Sequence, residues 1–163
     1  MIENLKKIDS KELLLEELKN SNSTFDKGII SYNVKVMNYG YTFWDKDEKF
    51  LITVVSEKKT LFNTFESVEM EIYDLQNGFT VSNLYAEFRS KNKLYLNSID
   101  TTYRYIRRGY GSLLIKLLIE YAREKKVIEI HGGMFLLGDL DSLKSFYKKN
   151  GFEVKSSSFK MNL

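Results

Sequence analysis

The residues best suited to bind an anion lie in one short stretch, Arg107-Arg108-Gly109-Tyr110-Gly111-Ser112. A segment with apolar residues at helical spacing follows at once; these residues are Leu113, Leu114, Leu117, Leu118 and Tyr121. The first N–H groups of a helix have no partner within the helix, and the dipole makes that end partly positive. Two glycines remove side chains that would cover these amides, and two arginines add positive charge. The stretch therefore predicts a phosphate or pyrophosphate site at a helix start.

Two common nucleotide-binding loops do not fit this stretch. A P-loop has Lys followed by Ser or Thr directly after its second glycine, whereas Ser112 follows Gly111 here. The dinucleotide-binding fingerprint has a third glycine where this chain has Leu114. The stretch instead resembles the acyl-CoA loop of the GCN5-related N-acetyltransferases (the GNAT family), Gln/Arg-x-x-Gly-x-Gly/Ala, since Gly109 and Gly111 fit it without gaps. Ile106 departs from that pattern, because it stands where the family has Gln or Arg.

A second stretch, Asp141 to Phe152, resembles the closing motif of the same family. That motif is a short helix that ends in Phe/Leu-Tyr-x-x-x-Gly-Phe and precedes a strand. Tyr147 stands at the tyrosine of the motif, and Asn150-Gly151 predicts the end of the helix. A strand candidate, Val127 to His131, lies between the two motifs. The resemblance implies transfer of an acetyl group from acetyl-CoA to a primary amine.

The resemblance also implies where coenzyme A and the acetyl group lie. It places the pyrophosphate on the amides of Arg108 to Ser112, beside arginine side chains that we expect near solvent. It places the acyl carbonyl at the end of the central strand, Leu94 to Thr101. The implied cofactor-binding residues are Ile99, Thr101, Arg107, Arg108, Gly109, Tyr110, Gly111 and Ser112. Their alternative role is packing in an ordinary strand-to-helix turn.

Acyl transfer from a thioester to an amine needs a group that takes the amine proton and a donor for the leaving thiolate. The resemblance assigns the donor to Tyr147, whose alternative role is packing on the adjacent helix. Tyr95 and Asn97 occupy the stretch where some family members carry a glutamate base. Our candidate for the base is His131, because an imidazole titrates near neutrality. The alternatives are Asp100, a chain of water molecules, or a purely structural histidine.

The order of the predicted elements is typical of a mixed α/β fold. Residues Ile8 to Leu18 have helical spacing, with Ser10 as the N-cap. Strand candidates follow from Ile29 to Phe88, with Asn77-Gly78 as a two-residue hairpin turn. The charged run Asp45 to Lys49 is expected to be a solvated turn. The GNAT resemblance adds a mostly antiparallel sheet with flanking helices and a splayed central strand pair.

Length and composition exclude several classes of protein. We expect one domain over residues 1–163, with 1–28 as its N-terminal helical segment. Because the chain has no cysteine and one histidine, it has no disulfide, no cysteine nucleophile and no multi-histidine metal site. We therefore expect no metal, and direct transfer in a ternary complex. No apolar run approaches the roughly 18 residues of a membrane span, and we expect a cytoplasmic protein.

The sequence leaves the acceptor open among small amines, proteins and aminoacyl-tRNA. The net charge of +3 is too small to indicate nucleic acid by itself. Two other interpretations compete with the enzyme. The first is a module of the same fold that binds acyl-CoA without turnover, which Ile106 and the missing early carboxylate favour. The second is a protein-interaction domain whose glycine loop binds no cofactor.

Overall fold

The computed structural model describes residues 2–8, 10–20, 37–59, 65–134 and 139–163. These residues form nine strands in one sheet, three α-helices and a 3-10 turn. The strands are β1 (Ile2–Ile8), β2 (Tyr39–Asp45), β3 (Glu48–Lys59), β4 (Phe65–Asp74), β5 (Thr80–Ser90), β6 (Lys93–Thr101), β7 (Glu129–Gly133), β8 (Glu153–Lys155) and β9 (Ser158–Asn162). The helices are α1 (Lys11–Asn20), α2 (Tyr110–Glu124) and α3 (Leu140–Lys149), and the 3-10 turn is Tyr103–Tyr105.

The strands are ordered β1-β2-β3-β4-β5-β6-β7-β9-β8 across the sheet. Neighbouring strands are antiparallel, except for β6 and β7, which are parallel. A parallel pair needs a crossover connection, and α2 provides it. The predicted mixed and mostly antiparallel sheet with flanking helices is confirmed.

Strands β6 and β7 separate before either one ends. Their pairing stops at Tyr95, which lies opposite His131. Beyond that point β6 runs on to Thr101 beside β5, and β7 runs on to Gly133 beside β9. The two strands therefore open a gap between them, and the predicted splay of the central pair is confirmed.

A β-bulge lies in β6 directly beyond the last position paired with β7. Ala86 of β5 is opposite Leu96, and Tyr85 is opposite Ser98, so Asn97 is the additional residue. A bulge bends its strand and increases the local twist. It therefore turns β6 away from β7 at the start of the gap.

The two faces of the sheet carry separate apolar cores, because alternate side chains of a strand point to opposite faces. Helices α2 and α3 cover one face, whose buried residues include Ile52, Leu84, Ala86, Leu94, Leu96, Leu114, Leu118 and Phe159. Helix α1 covers a smaller cluster on the other face, formed by Leu14, Met37, Leu51, Val55, Tyr73 and Leu75. Full burial of such a side chain is worth about 1.5–3 kcal/mol, so the two cores hold the helices on the sheet.

The N-terminal prediction is corrected, because the segment begins with a strand. Residues Ile2–Ile8 form the edge strand β1, and α1 starts at Lys11. The side chains between the two terminal isoleucines of β1 are exposed, so no alternating pattern revealed the strand. Ser10 Oγ accepts a hydrogen bond from the Leu13 N–H at 3.4 Å, as expected of an N-cap. The strand predicted to begin at Ile29 lies outside the described residues, apart from its last residue.

The Asn77-Gly78 pair belongs to a hairpin, as predicted, but the connection has five residues, 75–79, rather than two. The Asp74 carboxylate accepts the backbone N–H of Asn77 at 3.0 Å and its side-chain Nδ2 at 2.7 Å. The Tyr105 hydroxyl donates to the same carboxylate at 2.8 Å. The Asp74 carboxylate therefore holds the five-residue connection by its hydrogen bonds with Asn77 and Tyr105.

Candidate functional site

The predicted anion-binding stretch lies at the N-terminus of α2, where the sequence places it. Gly109 is the N-cap residue, with φ of 89°, and no side chain caps the helix. This left-handed conformation is one that glycine adopts without steric cost. A Cβ atom at Gly109 would have no atom within 4 Å, so the approach to the first turn is open. The N–H groups of Tyr110, Gly111 and Ser112 belong to that turn and have no intrahelical acceptor.

Gly111 lies at the start of α2, next to α3 and β6. A Cβ atom there would lie 3.4 Å from two carbons of the Phe146 ring and 3.7 Å from Cδ1 of Ile99, which is ordinary van der Waals contact. The start of α2 is therefore packed closely against both elements. The same contact places Ile99 beside the loop. The place of Gly111 in the pyrophosphate site stays a prediction.

Arg108 does not have the solvent-exposed side chain that we expected. Its Nε and Nη2 lie 2.9 and 2.8 Å from Oδ2 of Asp45, and Nη2 lies 3.0 Å from Oε2 of Glu48. The side chain is only 22% exposed. Its backbone N–H donates to the Tyr105 carbonyl at 3.4 Å, so this amide is also engaged. Arg108 therefore holds the loop to β2 and β3, and its charge is balanced by protein carboxylates.

Asp45 was predicted to lie in a solvated turn and is instead 3% exposed. Burial acts to raise the pKa of its carboxyl, but several hydrogen bonds, those from Tyr110 and Arg108 among them, outweigh it and lower the pKa to about 2. The Tyr110 hydroxyl donates to Oδ2 at 2.7 Å, and burial together with this bond raises the pKa of the phenol. Asp45 is thus a buried anion that binds the two residues on either side of Gly109, Arg108 and Tyr110. The surrounding turn residues, Lys46 and Asp47, are exposed as predicted.

The remaining predicted cofactor residues flank this loop. Arg107 is exposed and has a left-handed backbone, with φ of 66°. Thr101 ends β6, and its hydroxyl lies 2.8 Å from the Ser82 hydroxyl. The Thr101 side chain is therefore used to hold β5 to β6 at the open end of the gap. The implied contact between the acyl carbonyl and a backbone amide near Thr101 stays a prediction.

Tyr147 lies on α3 with its side chain buried to 6% exposure. Its ring stacks on Phe159 with centroids 3.7 Å apart and 13° between the planes. Burial, and secondarily the charge of Asp100 on β6, raise the pKa of the phenol to about 12. The hydroxyl therefore stays protonated at neutral pH and is a hydrogen-bond donor.

His131 is the last residue of β7 that pairs with β6. Its ring packs edge-on against Tyr95, with centroids 5.3 Å apart. It lines a cavity of about 570 Å³ where the gap starts. The cavity is lined by Tyr95, His131, Gly132, Gly133, Met134, Ser157 and Ser158.

Tyr147 and His131 lie on opposite faces of the sheet. Phe159, on which Tyr147 stacks, is opposite Gly132, whereas His131 is opposite Lys160. Consecutive residues of a strand point to opposite faces, so the phenol is on the helix side and the imidazole on the other. A group that lies in the gap between β6 and β7 would therefore have Tyr147 on one side and His131 on the other.

A groove of about 440 Å³ runs between α2 and α3 and begins at Ser112. Its basic residues are Lys116 and Arg123 on α2 and Lys149 on α3, with Glu120 as its carboxylate. Neither sequence motif indicated this groove. The seven-residue spacing of Lys116 and Arg123 on one side of a helix was the signal that could have revealed part of it.

The described residues contain no group of three or more His, Cys, Asp or Glu side chains that could hold a metal ion. None of the helices in the described ranges is long and apolar enough to cross a membrane.

No protein-family model and no curated protein matches the chain, but solved structures do. The PaiA N-acetyltransferase from Thermoplasma acidophilum, in complex with coenzyme A, is 16% identical with a TM-score of 0.51, over 60% of this chain and 61% of that one. A GNAT family acetyltransferase from Elizabethkingia anophelis with acetyl-CoA bound is 13% identical with a TM-score of 0.51, over 69% of this chain and 98% of that one.

A third match is an acetyltransferase of the GNAT family from Staphylococcus aureus, 18% identical with a TM-score of 0.51. It covers 60% of this chain and 68% of that one. Identities this low carry information about the fold alone. Together with the strand order and the gap beyond Tyr95 and His131, these matches show that the chain has the fold of the GNAT acetyltransferases.

Proposed function

We propose that this protein is an acyl-CoA-dependent N-acyltransferase that moves an acetyl group from acetyl-CoA directly to a primary amine. One observation carries the proposal. The uncapped start of α2 lies beside a gap in the sheet that has Tyr147 on one face and His131 on the other. Structures of the same fold with coenzyme A or acetyl-CoA bound support the choice of cofactor.

The chain offers suitable groups for an anionic cofactor. The N–H groups of residues 110–112 would hold the pyrophosphate, since a helix N-terminus favours negative charge and Gly109 leaves the approach open. The groove with Lys116, Arg123 and Lys149 begins at this point and suits a further phosphate. When bound, acetyl-CoA supplies an acetyl group activated as a thioester.

Tyr147 is our candidate for the donor to the leaving thiolate. Its phenol stays protonated at neutral pH, because burial raises its pKa to about 12. The stacking on Phe159 and the edge contacts with Phe146 and Phe152 hold the ring in one orientation. A donor that is fixed in advance needs no reorganisation when negative charge develops on sulfur.

His131 is our candidate for the base that takes the proton from the amine. It lines the cavity on the face opposite Tyr147, so the acceptor would approach from the side away from α2 and α3. The absence of cysteine supports direct transfer, since no thiol can hold the acyl group between two steps. The same absence fits a reducing compartment, and we place the protein in the cytoplasm.

A second candidate function is acyl-CoA binding without turnover. The observation that favours it is that Tyr95 and Asn97, rather than a carboxylate, occupy the first part of β6 near the gap. The two functions differ in one measurable quantity, the release of free coenzyme A in the presence of an amine. Both require the cofactor to bind.

The test is the release of thiol from acetyl-CoA with a panel of primary amines: diamines, amino acid amides, and peptides with a free N-terminus or lysine. Because the chain has no cysteine, a thiol reagent reports only released coenzyme A. We expect amine-dependent release with at least one acceptor class. Binding of coenzyme A without release across the panel would favour the binding module, and absence of binding would refute both functions.

A further inference from the structure

Glu129 and His131 lie two residues apart on β7 and therefore on the same face of the sheet. Oε1 of Glu129 is 3.3 Å from Nδ1 of His131 and also 3.3 Å from Nζ of Lys93 on β6. The distance to the imidazole suits an ion pair, although the contact does not meet the geometry of a hydrogen bond. One carboxylate oxygen thus faces two groups that can carry positive charge.

The imidazole has one enclosed nitrogen. Nδ1 is shielded from solvent and has no hydrogen-bond partner, and the Glu129 carboxylate lies 3.3 Å from it. A polar atom that is cut off from water and lacks a partner is costly, so a small rotation of the Glu129 side chain that completes the hydrogen bond is favourable. The ring itself is 31% exposed and lines the cavity, which leaves Nε2 as the nitrogen available to a solute.

We propose that Glu129 is a positioning residue that keeps the proton of neutral His131 on Nδ1 and so leaves the Nε2 lone pair free to take a proton from the acceptor amine. The proposal rests on the proposed acyltransferase function. In the step, an N–H bond of the acceptor's ammonium form breaks, its proton moves to Nε2, and the electrons of that bond become the nitrogen lone pair that attacks. The Nδ1 proton stays on the ring beside Glu129, and the imidazolium later returns the Nε2 proton to water.

Lys93 opposes the effect of the Glu129 carboxylate on His131. Because its ammonium shares Oε1, it weakens the attraction that Glu129 exerts on a protonated imidazole. Such a balance suits a base, which must accept a proton and then release it at neutral pH. Neighbouring strands add other charged groups on the same face. These groups are Lys160 of β9, Glu153 of β8, and Arg89 and Glu87 of β5 around the Tyr95 ring.

The first test needs no substrate, because His131 is the only histidine of the chain. Ring-nitrogen NMR of labelled protein distinguishes the Nδ1–H from the Nε2–H tautomer. We expect Nδ1–H in the parent and a shift of population towards Nε2–H in Glu129→Gln. Glu153→Gln, which removes a carboxylate that does not contact His131, is the matched control and should leave the tautomer unchanged. An Nε2–H parent, or equal populations in parent and Glu129→Gln, would overturn the proposal.

Kinetics separate this proposal from the proposed function. With an accepted amine, Glu129→Gln should lower kcat roughly 10-fold and leave the KM for acetyl-CoA unchanged. The same substitution should have no further effect in a His131→Gln background. Full additivity of the two losses would refute the positioning role while acyl transfer stands. Absence of thiol release with every amine would refute the acyltransferase, and the NMR result would still decide the role of Glu129.

Discussion

Arg108 and Asp45 carry opposite charges where little water reaches them, so neither side chain can be removed alone without cost. Arg108→Ala would leave the Asp45 and Glu48 carboxylates without the guanidinium that balances them. We expect a loss of roughly 3 kcal/mol in the free energy of unfolding, measured by urea denaturation at neutral pH. Arg107→Ala is the matched control and should cost less than about 0.5 kcal/mol, because that side chain is exposed. Equal small losses in both variants would show that the buried pair contributes nothing.

Asp45 also predicts how stability depends on pH. Its pKa falls from the ordinary value of 3.8 to about 2 in the folded protein. A lowered carboxyl pKa stabilises the fold above the unfolded pKa, and this contribution disappears as the pH falls from about 4 to about 2. We expect that Asp45 accounts for about 2 kcal/mol of the stability lost in this window. Asp45→Asn should flatten the curve of unfolding free energy between pH 4 and pH 2, and an unchanged slope would contradict the assignment.

Tyr147 combines a packing role with a proposed chemical role, and one substitution separates them. Tyr147→Phe keeps the ring that stacks on Phe159 and removes only the hydroxyl. We expect turnover to fall on the order of 10²-fold, with stability and affinity for coenzyme A nearly unchanged. Steady-state rates with an accepted amine, beside calorimetry with coenzyme A, measure the two effects. Full activity in the variant would reduce Tyr147 to a packing residue.

Gly132 of β7, one residue beyond the last pair with β6, lies close to both β6 and β9. A Cβ atom there would lie 2.4 Å from Cζ of Phe159 and 2.7 Å from the carbonyl oxygen of Leu96. Gly132→Ala should therefore cost about 2 kcal/mol or more in unfolding free energy, because the backbone oxygen cannot rotate away. Gly133→Ala is the control, since its Cβ would come no closer than 3.4 Å to the Tyr95 hydroxyl. Equal stabilities of the two variants would show that the strands can separate without cost.

Local patterns in the sequence predicted most of these elements. The glycine at 109 and the apolar spacing after it located the start of α2, because a left-handed residue before an amphipathic segment is a local feature. The Asn150-Gly151 signal located the end of α3, where Gly151 has φ of 89°. Strand β1 was missed, since an edge strand with exposed side chains has no alternating apolar signal.

At the scale of the whole molecule, the sequence could not reveal which distant residues meet. Arg108 contacts Asp45 across 63 positions of the chain, and Tyr105 reaches Asp74 across 31. No local pattern marks such pairs, because the register of the sheet alone brings them together. For this reason the sequence assigned Asp45 to solvent, whereas the fold buries it against Arg108.

The same register explains why the candidate catalytic residues were only partly predicted. The two motifs indicated Tyr147 and the glycine loop, but they carry no information on which face of β7 His131 occupies. Glu129 and Lys93 become neighbours of His131 only when β6 and β7 pair in parallel. The proposed acyl transfer thus requires one ligand that reaches from the start of α2 through the gap between these strands.

The most direct test of that requirement is an NMR titration of the labelled protein with acetyl-CoA. We expect the largest shifts in the amide signals of Tyr110, Gly111 and Ser112, because their N–H groups would hold the pyrophosphate. Signals from residues around the gap, including the ring of His131, should move in the same titration with the same dissociation constant. Unchanged loop amides at saturating acetyl-CoA, or shifts confined to a surface away from α2 and β6, would contradict the account.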